Sequence, residues 1–220
     1  MGRCAYCGRS GFFVWPNWQS LCRRCVPVVE GKMQAHRKTI EECNRVIRKT
    51  NNPETKIARL KTIRECCVDV DENYRNKGIL LDGNPLGIER DDIDHALDVE
   101  ICKYANGLLE TARSKAGNAV SEAARISGYD RVINALSAFA AGCGPAGENA
   151  VRSIAQIRCE RDRVLFGIRL RAAELEADKG RLRRAASLYR DLIAEFADRP
   201  FLSDDVGAAR GRYAEISAAL

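Results

Sequence analysis

The fold is decided by residues 28–74, VVEGKMQAHRKTIEECNRVIRKTNNPETKIARLKTIRECCVDVDENY. Val29, Met33, His36, Ile40, Cys43 and Ile47 alternate steps of four and three, the seam of an amphipathic helix. Asn51-Asn52-Pro53 stops that helix, because proline fits a first turn but not a helix interior. Ile57, Leu60, Ile63, Cys67, Val70 and Tyr74 then line one face of a second helix. So short a connection predicts an antiparallel helical hairpin.

Toward the carboxyl terminus the helical pattern continues. Residues 78–87, with Asp82-Gly83-Asn84-Pro85, read as a loop. A long helix follows, striped by Ile93, Leu97, Ile101, Tyr104, Leu108 and Ala112. Asp91, Asp92 and Asp94 crowd its first turn, where carboxylates favour the positive end of the helix dipole. Two shorter helices are expected around 119–127 and 129–141. Gly142-Cys143-Gly144-Pro145-Ala146-Gly147 breaks the pattern, and composition then shifts toward Ala and Arg. Helices are expected from about Asn149 to Lys179, from beyond Gly180 to Phe196, and over about 204–219. The expected division is 1–26, 27–143 and 148–220.

Toward the amino terminus the chain changes character. Cys4 and Cys7 form one C-x2-C pair and Cys22 and Cys25 another, with fourteen residues between. Phe12-Phe13-Val14-Trp15 and Trp18-Gln19-Ser20-Leu21 are β-prone runs joined by Pro16-Asn17, so a small β-hairpin is expected between the pairs. Thiolates are soft ligands that suit zinc, and four of them at about 2.3 Å close a tetrahedron. Gly8, directly after Cys7, permits the tight turn. The expectation is one structural Zn2+ on Cys4, Cys7, Cys22 and Cys25, with no open position for catalysis. A disulfide pair and an iron–sulfur cluster are the competing uses of these thiols. The other six cysteines, Cys43, Cys66, Cys67, Cys102, Cys143 and Cys159, are scattered through helical sequence, which reads as a reducing cytoplasm.

Residues 4–25 resemble the zinc-ribbon and treble-clef families. With Pro27 and a helix directly behind Cys25, the treble clef is the closer match. The resemblance implies the ligand set but not the partner, because those families include DNA-binding, RNA-binding and protein-docking members. Ala173, Gly180, Leu182, Ala185, Tyr189, Leu192 and Pro200 resemble a tetratricopeptide repeat, with Glu176 departing where that family has an aromatic. This second resemblance implies a helix pair, capped by the last helix with Tyr213 and Ile216, that binds a peptide or partner helix.

Charge divides the chain. Residues 1–64 carry 14 Lys/Arg against 4 Asp/Glu, and residues 65–220 carry 22 against 26. Arg3, Arg9, Arg23 and Arg24 offset the formal −2 of four thiolates on a divalent ion. The wider excess suggests attraction to phosphates or to an acidic protein surface. On a nucleic-acid reading, Arg23, Arg24, Arg37, Lys38, Arg45, Arg48, Lys49, Lys56, Arg59, Lys61 and Arg64 contact phosphates. Phe12, Phe13, Trp15 and Trp18 are expected to pack on the following helix, the other use being an exposed stacking or docking face.

Several classes find no support. No apolar run approaches the ~18 residues of a membrane span, and Met1 to Tyr6 contain no apolar signal region. Gly142-x-Gly144-x-x-Gly147 follows a helix rather than a strand, and Pro145 lacks the N–H a pyrophosphate needs. Phosphate-loop and nucleophile-elbow motifs are absent. Asp82-Gly83-Asn84 begins like a calcium loop, but Leu86 and Ile93 stand where oxygen ligands are required. His95 reads as a solvated helix face and His36 as a packed core residue. The sequence therefore predicts a mostly α protein: a zinc-binding β-hairpin module, antiparallel helical hairpins and a TPR-like carboxyl-terminal region. It reads as a cytoplasmic, non-catalytic adaptor or scaffold that binds a protein partner, with nucleic acid as the alternative and no membrane.

Overall fold

The computed structural model describes residues 2–11, 15–119, 121–140 and 143–220. Among these the chain forms seven α-helices: α1 Val26–Lys49, α2 Pro53–Asn73, α3 Arg90–Asn118, α4 Glu122–Ala140, α5 Pro145–Asp178, α6 Leu182–Phe196 and α7 Ser203–Ala218. Two compact units result, one of Met1–Ala105 with Ala138–Ala150, the other of Asn106–Ser137 with Val151–Leu220. Composition divides the chain at 142–147, whereas packing divides it inside α3, α4 and α5. No described helix is long and apolar enough to cross a membrane.

In the first unit the expected helical hairpin forms. Asn52 caps α2 by accepting from the Thr55 N–H at 3.2 Å, and Pro53 occupies the first turn, where it removes no helix bond. Val29, Met33, Ile40 and Cys43 of α1 are buried, with Ile57, Leu60, Ile63, Cys66, Cys67 and Val70 of α2. His36 meets Asp69 across the pair. His36 is not a core residue as expected: its ring is partly exposed, and Nε2 lies 2.8 Å from Asp69 Oδ2, which serves the imidazole better than apolar packing. Arg64 donates to Asp94 at 2.6 Å, a pair almost withdrawn from solvent. In the loop before α3, the Asn84 side chain accepts from the Leu86 and Gly87 N–H groups, an Asx turn rather than a cation loop.

In the second unit, Phe166 and Ala173 of α5, Ala185, Tyr189, Leu192 and Phe196 of α6, and Val206, Ala209 and Ile216 of α7 share one core. Gly180, with φ +72°, turns the chain between α5 and α6. The two short helices expected around 119–127 and 129–141 are instead the single α4. Gly128, which invites a break on the sequence, sits inside that helix and faces α3 so closely that a Cβ would lie 2.9 Å from Ala112 Cα. Here glycine serves helix approach rather than helix termination.

The expected β-hairpin is not formed among the described residues, where Arg3 and Ser10 make an isolated antiparallel bridge and no strand appears. Phe12, Phe13 and Val14 of the first run lie outside the described residues. In the second run Asn17 competes with strand pairing. Its Oδ1 accepts from the Gln19 and Leu21 N–H groups, both at 3.0 Å, and Ser20 takes a φ of +64°.

Candidate metal centre

Four sulfurs converge in the first unit. The Sγ atoms of Cys4, Cys7, Cys22 and Cys25 all lie within 4.8 Å of one another, and no other such cluster of three or more His, Cys, Asp or Glu occurs among the described residues. Local geometry places each one. The Gly8 N–H donates to the Cys4 carbonyl at 2.8 Å, closing the first knuckle, and Gly8 itself takes φ +70°. Arg3 Nε donates to the Gly8 carbonyl and braces that turn from outside. The second knuckle closes from the Cys25 N–H to the Cys22 carbonyl and runs directly into α1. The Ala5 N–H donates to the Ser20 carbonyl, and the Cys22 N–H points at Cys4 Sγ from 3.3 Å, so the knuckles are joined.

The donor set fits a metal ion. Tetrahedral coordination with arms of about 2.3 Å has edges of roughly 3.8 Å, and Cys7 Sγ and Cys22 Sγ stand 4.0 Å apart. A disulfide needs about 2.05 Å, and all ten cysteines are free. Burial opposes charge on Cys4, but hydrogen bonds from the backbone of Cys7, Cys22 and Tyr6 outweigh it and bring the thiol down to about 6. Cys25 goes the other way, raised by burial and by the surrounding sulfurs. Four crowded sulfurs without a cation cannot all ionise; a divalent ion supplies the missing positive charge.

The module is anchored to the helical hairpin. Leu21 is buried, Tyr6 stacks on the buried Tyr74 with ring centroids 6.2 Å apart, and the Leu80 N–H donates to the Gln19 carbonyl. The tryptophans depart from expectation. They are largely exposed rather than buried under the module, Trp15 at 81% and Trp18 at 63%, and Phe12 and Phe13 lie outside the described residues. Trp18 borders a groove of about 660 Å³ whose walls include Pro27, Met33 and Pro85.

The eleven basic residues are not equivalent. Arg23, Arg24, Lys38, Arg48, Lys49 and Arg59 are exposed. Arg45 is exposed but bound to Glu42, and the exposed Arg37 donates to the Pro85 carbonyl. Lys56 and Lys61 are half-buried. Arg64 cannot meet a phosphate as drawn from sequence, since its guanidinium is committed to Asp94 inside the unit. Cys43, Cys66, Cys67 and Cys143 are buried and their thiols pushed up by burial, Cys66 to about 11, which suits inert core residues rather than nucleophiles. Gly142 of the glycine string lies outside the described residues; Gly147 packs against the Ala140 carbonyl, so that segment is a helix junction.

Sequence reasoning missed the carboxylates that organise the second unit. Glu160 accepts from Arg113 Nε and Nη2, each at 2.7 Å, and from the Tyr129 hydroxyl at 3.0 Å. Asp162 is buried against Arg161 and Arg199. Glu176 is buried among Lys179, Arg181 and Arg184. The spacing of Glu176 to Lys179 was visible as an i,i+3 pair, but no local signal marked the others. Comparison with protein-family models, with curated proteins and with solved structures finds no match to this chain.

Proposed function

We propose a non-catalytic interaction protein in which one structural Zn2+ on Cys4, Cys7, Cys22 and Cys25 fixes the amino-terminal module and the helical body binds a protein partner. The observation that carries this reading is the convergence of four sulfurs within 4.8 Å. Thiolates favour zinc over hard cations, and four protein donors leave no site for water or substrate. The ion then holds structure rather than performing chemistry. Ten unpaired cysteines suit a reducing compartment such as the cytoplasm.

The resemblances add to this. The second knuckle, running straight into α1, suits a treble clef more than a ribbon. In the second unit, buried Ala173 and Ala185 flank the Gly180 turn, as small residues do in a tetratricopeptide repeat. The departing Glu176 replaces aromatic packing with charge. A groove of about 300 Å³, walled by Ile168, Ala172, Leu188 and Leu192 with Glu122, Arg169 and Asp191, is where a partner helix would lie.

The test is metal analysis of the chain purified without chelators. One equivalent of zinc per chain is expected, with tetrahedral thiolate bands on cobalt substitution, and Cys4→Ser with Cys7→Ser removes both. A chain that stays metal-free after expression with zinc overturns the reading. A nucleic-acid role for residues 28–64 is favoured by the exposure of Lys38, Arg48, Lys49 and Arg59; its mark is an affinity that falls steeply with salt.

A further inference from the structure

The groove of about 660 Å³ beside Trp18 lies wholly in the first unit. Trp18 of the metal module, Val29, Glu30 and Met33 of α1, and Asp82 and Pro85 of the loop before α3 line it together. That loop is tied down on both sides. The Leu80 N–H donates to the Gln19 carbonyl of the module, and Arg37 Nε of α1 donates to the Pro85 carbonyl. The groove is therefore formed before any ligand arrives, which spares an occupant the cost of ordering it. Val29, Met33 and Pro85 are buried and give it an apolar floor. The rim is polar: Trp18 exposes most of its indole, and Glu30 and Asp82 are exposed with no hydrogen bond or ion pair among the described residues. Other carboxylates of this basic region do find partners, Glu42 in Arg45 and Glu54 in Tyr104.

We propose that this groove binds an arginine side chain presented by an extended basic segment of a partner protein, its guanidinium meeting the Trp18 indole and the carboxylates of Glu30 and Asp82. A wholly apolar segment would leave both carboxylates unpaired beside it, and an anion would be repelled by them. A cation on an apolar stem satisfies every part of the groove: the stem lies on the floor, the charge meets the carboxylates and the indole receives the cation. Arginine suits better than lysine, because its planar fork both stacks on an aromatic ring and pairs with a carboxylate through two hydrogen bonds. Arg37 is the groove's own cation, but its Nε is committed to the Pro85 carbonyl, and two carboxylates stand against it. The proposal rests on the metal reading in one respect, since the metal-held module supplies Trp18.

The experiment titrates the full chain, nitrogen-labelled for NMR and loaded with one equivalent of zinc, with the capped peptide Ac-Gly-Leu-Arg-Leu-Gly-NH2 and with counterparts carrying glutamine or glutamate at the centre. Saturable shifts are expected at the Trp18 indole N–H and at the Gly31 and Met33 amides, weaker for glutamine and absent for glutamate. Trp18→Ala should weaken the arginine peptide roughly two- to thirtyfold. Glu30→Gln with Asp82→Asn should weaken it roughly two- to tenfold, and added salt should act in the same direction. Gly31 also lines the groove, and nothing lies within 4 Å of a Cβ added there, so Gly31→Leu should narrow the groove and weaken binding while gaining helix propensity. Zinc content and helical circular dichroism should stay unchanged in all of these variants. A glutamine peptide that binds as tightly as the arginine one overturns the proposal, as does the absence of saturable shifts at millimolar peptide. Shifts confined to α5 and α6 overturn it as well, and so does tighter occupation of the groove by oligo-dT or by a second copy of the chain. A chain that takes up no zinc overturns the metal reading, while the same titration of that chain still decides the groove.

Discussion

Gly128 and Gly107 offer opposed outcomes from the same substitution. Both lie within helices, α4 and α3, so replacing either with alanine gains helix propensity worth about 1 kcal/mol. At Gly107 nothing lies within 4 Å of the new Cβ, and Gly107→Ala should keep that gain. At Gly128 the new Cβ stands 2.9 Å from both Ala112 Cα and Ala112 Cβ. Carbon atoms prefer about 3.5–4.0 Å, and Ala112 cannot swing aside because the blocking atom belongs to its backbone. The two helices must part by most of an ångström there, loosening the contact they share near Leu108 and Val132. Such overpacking costs about 1–3 kcal/mol, so Gly128→Ala should lose about 1 kcal/mol net.

The two variants should therefore differ by about 2 kcal/mol, which for a chain this size is roughly 4–8 °C in Tm. Thermal and urea unfolding followed by circular dichroism at 222 nm reads the difference. Gly128→Val should lose more than Gly128→Ala, because the added methyls meet the same backbone. If Gly128→Ala stabilises as much as Gly107→Ala, α3 and α4 do not meet as described.

Three further outcomes follow from charge and burial. The Tyr129 hydroxyl is pushed up to about 12 by burial and by Glu160; a raised value means the fold favours the neutral phenol, so its stabilising share is intact below pH ~10 and lost as pH rises toward 12. That share is on the order of 2–3 kcal/mol, and an alkaline urea series should show Tyr129→Phe losing less stability than wild type above pH 10; parallel curves would sink the assignment. Hydrogen bonds from Arg113 lead in holding Glu160 below the usual carboxylate range, so its contribution persists at neutral pH and disappears only as pH falls through that depressed value, which Glu160→Gln should abolish in an acid titration. Asp94→Ala strands the Arg64 charge inside the first unit and should cost about 3–5 kcal/mol, with Asp94→Ala/Arg64→Leu recovering much of it; no recovery in the double variant would mean the pair is not the cause.

The helices were legible because each announces itself within a few residues. The seams of α1 and α2 repeat in steps the helix imposes, and Asn52-Pro53 is a cap and a first-turn proline in adjacent positions. The same locality limited the reading of α4. Glycine inside a helix costs little enough that Ala112, sixteen residues upstream, can justify it by close approach, and no window around Gly128 contains that information. The run from Trp18 to Leu21 forms no strand for a related reason: its side-chain β-propensity is visible in the sequence, but the capture of two N–H groups by the Asn17 side chain decides the backbone there.

At the candidate site, the convergence of the four sulfurs was readable and the surface was not. Two C-x2-C pairs bring their sulfurs together as a candidate metal site, because each tight turn brings its two sulfurs to the same side. Whether Trp18 or Leu21 turns inward is decided by what the hairpin offers to cover. Leu21 is buried and Tyr6 stacks on the buried Tyr74, while both indoles keep most of their surface exposed. The basic residues divide by the same logic: Arg64 and Arg48 are indistinguishable in sequence, yet the first finds Asp94 thirty residues away and is withdrawn, while the second remains in water. Which carboxylates the fold brings to a basic side chain thus decides whether it stays in water, and the stretch before Glu30 is a part of this chain whose own sequence supplies none.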